Sequence, residues 1–184
     1  MTQLDQISPS MYRRLFALLP PERQEKASRL RTDNRKLQST LAYIVLVHAL
    51  KQQTKLSQLP RLSEPGKPSL LNYSNMQCSI SHCEKGVAAV VCEQPVGVDI
   101  ESVRPYNPKV ARYICSEDEY NTIEAAKDPA LEFTILWTKK ESCIKLYGGN
   151  IGPNMKNLSS YFGTLEFETK IGDGWVVTAC CEKI

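Results

Sequence analysis

Two carboxylates in one short apolar stretch could bind a cation. Asp99 and Glu101 are separated by a single residue within residues 96–101, whose composition predicts a β-strand. Because the side chains of a strand alternate between its faces, both carboxylates point to the same side. Two like charges so close together repel each other unless a cation, a hydrogen-bond network or water stabilises them. The pair is therefore a candidate for chemistry, with a solvated strand edge as the ordinary alternative.

A third carboxylate and a lysine lie on one face of a predicted helix at residues 137–145. Trp137, Glu141 and Lys145 follow one another at intervals of four residues, so they share that face. Carboxylate oxygens from the strand and the helix together would suit a hard divalent cation, and Mg²⁺ is the cation that such a site favours. Trp137 itself is predicted to be a core residue without a chemical role.

Three helices are predicted in the first third of the chain. Ser8 followed by Pro9 is typical of a helix start, and a second, basic helix is predicted at about residues 22–30. Asp33 is the candidate cap of a third helix at residues 34–53. That helix has apolar residues on most of its sides, so it is expected to be buried.

The remaining pattern predicts an α+β fold of two similar halves, residues 1–103 and 104–184, that form one compact unit. The first half ends with two predicted strands that lead into the acidic strand. The second half contains helices that begin at Ser116, where Glu119 completes a capping box, and after Asp128. A β-hairpin with a glycine-rich turn is predicted at the end of the sequence.

The composition is that of an ordinary soluble globular protein, with 42% hydrophobic and 23% charged residues among 184. The net charge of +3 is too mild to suggest a nucleic-acid partner, but basic residues are concentrated at residues 13–36, where a phosphate-bearing partner could bind. The most apolar run, residues 41–50, is about half the length that spans a bilayer. A polar start without a signal peptide and seven cysteines without a paired framework predict a cytoplasmic protein.

Four motifs in order resemble the 4′-phosphopantetheinyl transferases, in particular the surfactin-synthetase-activating type, in which two halves lie in one chain. GVDIE at residues 97–101 and WTKKESCIK at residues 137–145 resemble the paired signature of this family, and GKP at residues 66–68 and SISH at residues 79–82 resemble its upstream motifs. The resemblance implies a pseudo-twofold arrangement of the two α+β halves. Because helix-forming sequence begins at Ser8, where the family usually begins with a strand, the first half is expected to lack an edge strand.

The resemblance implies transfer of the 4′-phosphopantetheine arm of coenzyme A to a serine of an acyl or peptidyl carrier protein, with release of adenosine 3′,5′-bisphosphate. It also implies that Asp99, Glu101 and Glu141 hold Mg²⁺, which would screen the charge that develops on the phosphate oxygens. Glu141 could in addition accept the proton of the serine, and Lys145 would lie near the phosphates as a fixed positive charge. The expected partners are coenzyme A and the carrier protein, and the expected state is a monomer.

By the same resemblance, coenzyme A would be bound by residues spread over both halves: Lys36, Lys67, Pro68, Ser81, His82 and Lys145. Ser81 and His82 would contact phosphates, with His82 at the 3′-phosphate, and Lys67 and Pro68 would lie along the adenine. The ordinary alternatives are that His82 is an exposed surface histidine and that Lys67 is an exposed lysine in a proline-containing loop. The carrier protein is expected to dock along residues 104–126, because the attacking serine must reach the carboxylates.

Two other classes of function stay open at this point. A non-catalytic module that binds coenzyme A or a carrier protein would have the same fold, and the loss of a carboxylate or of Lys145 would favour it. All of these residues are present. A nucleic-acid binder would use the basic helices, but the net charge is modest and the sequence has no aromatic-basic surface motif.

Overall fold

A computed structural model of the chain describes residues 2–4, 7–63, 67–149 and 155–183. The first residue of the predicted GKP motif, Gly66, lies outside the described residues. In the described part, the chain is a mixture of helices and two small antiparallel sheets, so the predicted α+β class is confirmed. None of the helices in these ranges is long and apolar enough to cross a membrane.

Three helices open the fold: α1 (Pro9–Ala17), α2 (Pro21–Ser28) and α3 (Asp33–Gln53). Ser8 caps α1 as predicted, because its hydroxyl accepts a hydrogen bond from the amide of Met11 at 3.2 Å. The cap of α3 is Thr32 and not Asp33. Thr32 is extended and its hydroxyl accepts a bond from the amide of Arg35, whereas Asp33 is already the first helical residue.

The strands form two separate three-stranded sheets. Strands β1 (Thr2–Gln3), β2 (Gln77–His82) and β3 (Gly86–Cys92) form one sheet in the order β1-β3-β2. Strands β4 (Val96–Ser102), β5 (Leu165–Gly172) and β6 (Trp175–Glu182) form the other in the order β4-β6-β5. The expected loss of an edge strand from the first half is wrong, since the two-residue β1 pairs with β3. The acidic strand β4 pairs with β6, so the sheets divide between β3 and β4.

A second group of helices packs on the β4 sheet mainly through α6 (Pro129–Leu146). It comprises α4 (Pro108–Ile114), α5 (Glu117–Glu124), α6 and a 3₁₀ helix at Met155–Thr164. The predicted capping box at Ser116 and Glu119 is present. The fully buried Lys140 of α6 donates to the Glu119 carboxylate at 2.6 Å and to the carbonyl oxygen of Ile114 at 2.9 Å, so it joins α4, α5 and α6.

A glycine lets the acidic strand touch helix α6 directly. A Cβ atom built on Gly97 would lie 1.9 Å from the carbonyl oxygen of Ser142 and 2.7 Å from the amide nitrogen of Leu146. Only a residue without a side chain fits such a contact between two backbones. Strand β4 is also tied to β2, because the hydroxyl of Ser79 accepts a hydrogen bond from the amide of Val98 at 3.0 Å. These contacts bring β2, β4 and α6 together around one site.

Candidate active site

Asp99 is the most buried of the three candidate carboxylates, with 3% of its surface exposed. Its Oδ1 accepts hydrogen bonds from the Ser81 hydroxyl at 2.8 Å and from Lys145 Nζ at 2.6 Å. Lys145 Nζ also donates to the Ser81 hydroxyl at 2.7 Å, which closes a three-membered network. Asp99 Oδ2 is buried and has no hydrogen-bond partner among the described residues. Buried carboxylate oxygens are normally paired, so this atom needs a ligand.

Glu101 and Glu141 line the same cavity as this network. The cavity has a volume of about 320 Å³ and is also lined by Ile80, Ser81, His82, Asp99, Trp137 and Lys145. Burial, and next the charge of Asp99, raise the pKa of Glu101 and of Glu141 above that of an exposed glutamate. Three carboxylates therefore face one ammonium group, so a further positive charge would stabilise the site.

The carboxylates share the cavity but do not converge. Within the described ranges, no three carboxylate, imidazole or thiol groups are close enough together to hold a metal ion. The strand geometry explains part of this arrangement, since Asp99 and Glu101 project from one face of β4 and Glu141 and Lys145 are one turn apart on α6. The metal set that the sequence suggests stays a prediction.

A second, basic cavity of about 590 Å³ adjoins the first, and the two share Ile80 and His82. Its other lining residues come mainly from α2, α3 and the loop before β2: Arg23, Lys26, Leu30, Arg35, Gln38, Ser39, Ala42, Leu62 and Pro68. His82 is at the end of β2, where the partial removal of water and the nearby Lys145 lower the pKa of its imidazole. An anion bound beside this imidazole would favour its protonated form.

Helix α3 turns Arg35, and not the predicted Lys36, toward this basic cavity. Lys36 is half-buried outside the lining of this cavity, with its ammonium 3.7 Å from the carboxylate of Asp33. The lining residues of α3, from Arg35 to Ala42, recur at helical spacing on one face. Once the cavity-facing side of α3 is known, this helical spacing identifies Arg35, Gln38 and Ser39 as lining residues.

The two residues that are predicted to lie along the adenine of coenzyme A, Lys67 and Pro68, have different surroundings. Pro68 lines the basic cavity. Lys67 Nζ donates to the carbonyl oxygens of Val96 at 3.2 Å and Leu146 at 2.9 Å, and burial lowers its pKa. Its ammonium is therefore bound to backbone oxygens of β4 and α6.

A third cavity, of about 510 Å³, adjoins the carboxylates and shares no lining residue with the basic cavity. It shares Glu101 and Trp137 with the carboxylate cavity and is also lined by Ser102, Arg104, Pro105, Asn107, Val110, Phe133 and Thr134. The Ser102 hydroxyl is buried and unpaired as far as the described residues extend. Trp137 packs against the core cluster around Ile123, in line with its predicted core role, but it is only half-buried and also lines both cavities. The sequence pattern cannot distinguish a tryptophan in the core from one that lines a cavity.

Known proteins with similar sequences point in one direction. Residues 95–175 match the family model of the 4′-phosphopantetheinyl transferase superfamily. Over 151 residues the chain is 28% identical to 4′-phosphopantetheinyl transferase Sfp of Bacillus subtilis, an alignment that covers 79% of this chain and 67% of that relative. Over 120 residues it is 30% identical to enterobactin synthase component D of Salmonella typhi, which covers 64% of this chain and 50% of the relative.

A third relative comes from a eukaryote. Over 124 residues the chain is 30% identical to L-aminoadipate-semialdehyde dehydrogenase-phosphopantetheinyl transferase of Saccharomyces cerevisiae, which covers 61% of this chain and 45% of the relative. The matched residues include β4 and α6, the two elements that carry all three candidate carboxylates and Lys145. These similarities support a relation of the chain to the 4′-phosphopantetheinyl transferase superfamily.

Proposed function

We propose that the protein transfers the 4′-phosphopantetheine arm of coenzyme A to a serine of an acyl or peptidyl carrier protein. The observation that carries this proposal is the order of three adjoining cavities: a basic one, a carboxylate-lined one, and a third whose wall includes Phe133 and Trp137. Coenzyme A has the same order of chemistry, with adenosine 3′-phosphate at one end, a pyrophosphate in the middle and pantetheine at the other. Two of the similar proteins are named phosphopantetheinyl transferases, which supports the same reaction.

The basic cavity would receive the adenosine 3′-phosphate. Arg23, Lys26 and Arg35 give it positive charge, and His82 is at the boundary with the carboxylate cavity. A 3′-phosphate distinguishes coenzyme A from ordinary adenine nucleotides, so a contact with His82 would provide specificity. Pro68 would pack against the adenine, in line with the expectation from the sequence.

The carboxylate cavity would receive the pyrophosphate. Asp99, Glu101 and Glu141 are the residues that would hold Mg²⁺, because Asp99 Oδ2 is buried without a described partner and the pKa values of both glutamates are raised by burial and next by the charge of Asp99. Bound there, the ion would supply positive charge to the phosphate oxygens on which negative charge develops. Lys145, which now donates to Asp99 and Ser81, is placed to donate to the same oxygens.

Glu141 is the residue that we assign to the proton of the carrier serine. Its raised pKa makes its carboxylate a stronger proton acceptor than that of an exposed glutamate. As the serine oxygen bonds to the phosphorus that carries pantetheine, the serine proton passes to Glu141 and the bond to the second phosphate breaks. Adenosine 3′,5′-bisphosphate leaves with the electron pair of that bond.

The third cavity would receive the pantetheine arm, and the carrier would approach beside it. Trp137 and Phe133 provide apolar wall, and the unpaired Ser102 hydroxyl could bond an amide of pantetheine. Lys109 and Arg112 of α4 are exposed next to this cavity and could meet acidic helices of a carrier. We further propose that the two halves, residues 1–103 and 104–184, have a pseudo-twofold relation, and that the protein acts as a cytoplasmic monomer.

A non-catalytic coenzyme A or carrier-binding module is the second candidate. The separation of the carboxylates, which in the described residues do not form a metal-binding group, favours it. A module of this kind would bind coenzyme A in a calorimetric titration but leave every carrier unmodified in the presence of Mg²⁺.

The Glu141→Gln variant tests the transferase directly. It keeps the size of the side chain but removes its charge and its ability to accept a proton. Loss of such a group typically costs about 10²–10³ in rate. The matched control is Glu132→Gln, an exposed glutamate on the same helix. Near-normal turnover by Glu141→Gln, with saturating Mg²⁺ and a competent carrier, would refute the assignment.

A further inference from the structure

A lysine from the first half joins the two elements that carry the candidate active site. Lys67 is in the loop before β2, yet its Nζ donates to the carbonyl oxygen of Val96, the first residue of β4, and to that of Leu146, the last residue of α6. These acceptors are 29 and 79 residues away in sequence. Strand β4 carries Asp99 and Glu101, while α6 carries the other two site residues.

The bond from Lys67 to Leu146 satisfies a carbonyl group at the end of a helix. The last four carbonyl groups of a helix lack such partners, and the partial negative charge at a helix C-terminus attracts a cation. Leu146 and Val96 are both buried, so their carbonyl oxygens have limited access to water. Removal of the ammonium would leave two buried acceptors without this donor, and the end of α6 would separate more easily from β4.

We infer that Lys67 is a positioning residue that holds the C-terminal end of α6 against the start of β4, and thereby fixes the distance between the carboxylates of the two elements. This inference rests on the proposed transferase function for its kinetic consequence only. It differs from the expectation drawn from the sequence, in which Lys67 contacts the adenine of coenzyme A. The two roles predict different results for the same substitution.

The test compares Lys67→Met, which removes the donors, with Lys67→Arg, which keeps charge and donors on a side chain of similar reach. Hydrogen exchange of the protein without coenzyme A should show faster exchange at residues 143–149 in Lys67→Met, and exchange close to wild type in Lys67→Arg. This measurement requires no turnover, so it stands even if the proposed function fails.

Kinetics of the same variants separate positioning from ligand contact. Because a misplacement of about 1 Å can cost about 10²-fold in rate, kcat of Lys67→Met should fall at least about tenfold. The coenzyme A dissociation constant, from calorimetry, should change less than about threefold, because a positioning residue does not contact the bound ligand. A loss that is confined to kcat is the sign of such a role. Lys67→Arg should recover most of kcat.

Lys183→Met is the matched control, since Lys183 Nζ also donates to a backbone oxygen, that of Gly163, at an exposed place away from the site. It should leave both exchange at residues 143–149 and kcat unchanged. If Lys67→Met is too unstable to purify, Lys67→Gln replaces it, because its shorter amide cannot reach both carbonyl oxygens and should show the same pattern at smaller size. Unchanged exchange at residues 143–149 together with weakened coenzyme A binding would overturn the inference and assign Lys67 to the ligand.

Discussion

Replacement of Gly97 by alanine should separate the two elements that form the site. The added methyl carbon would lie 1.9 Å from the Ser142 carbonyl oxygen, about 1.5 Å short of the 3.4 Å at which ordinary contact begins. Strand β4 cannot move away freely, because it is paired with β6 from Val96 to Ser102. Most of the adjustment must therefore come from a shift of α6 relative to β4.

The expected cost can be stated for both stability and activity. Overpacking of a dense contact typically costs about 1–3 kcal/mol, and a domain of this size loses about 2–4 °C in Tm per kcal/mol. Gly97→Ala should therefore unfold about 2–12 °C below wild type in a thermal scan followed by circular dichroism. Because Asp99 and Glu101 would shift relative to Glu141, kcat for carrier modification should fall by about 10²-fold.

Gly163→Ala is the control for Gly97→Ala. A Cβ atom on Gly163 would have no described atom within 4 Å, and this glycine lacks the positive φ that would strain an alanine. Its Tm and kcat should equal those of wild type. A Gly97→Ala protein with the Tm and kcat of this control would refute the close contact between β4 and α6, and with it the explanation of how the site is positioned.

Three further predictions concern a ligand contact, a buried ion pair and a docking surface. The pKa of His82 is lowered, and a bound 3′-phosphate would favour its protonated form, so coenzyme A affinity in calorimetry should increase as pH falls below neutral. The pH effect should disappear in His82→Ala or with 3′-dephospho coenzyme A. Its persistence in either case would exclude a contact between His82 and the 3′-phosphate. Lys140→Met leaves the Glu119 carboxylate without its ammonium and should cost about 3–5 kcal/mol in urea unfolding, with a smaller loss when Glu119→Gln is added. A loss in the double variant that equals the sum of the two single losses would show that the pair is not coupled. Arg112→Glu should raise the KM for the carrier and leave coenzyme A affinity unchanged, and an unaltered KM would move the docking surface away from α4.

Features that depend on local sequence were predicted well. Ser8 caps α1, Ser116 and Glu119 form the capping box, and the glycine turn joins β5 to β6, because each of these signals acts over a few residues. The shared face of Glu141 and Lys145 follows from helical periodicity alone. These features needed no information about packing.

Features that depend on packing were predicted less well. Arg35, and not Lys36, lines the basic cavity, because the orientation of α3 on the sheet decides which residue faces it, and the contact of Lys36 with coenzyme A stays a prediction. The two-residue strand β1 is too short to produce a periodic pattern and forms only because β3 offers an edge. The bonds of Lys67 join segments that are far apart in sequence. The position of Trp137 in the walls of two cavities depends on how α6 packs on β4.

Intact mass spectrometry of a carrier protein tests the central claim most directly. The protein is incubated with an unmodified carrier, coenzyme A and Mg²⁺, and the carrier is weighed beside reactions with Glu141→Gln and Glu132→Gln. The carrier should gain the mass of one phosphopantetheine group with wild type and Glu132→Gln, and none with Glu141→Gln although that variant still binds coenzyme A. No mass gain with wild type on any acyl or peptidyl carrier, or an equal gain with Glu141→Gln, would contradict the proposed reaction at this site.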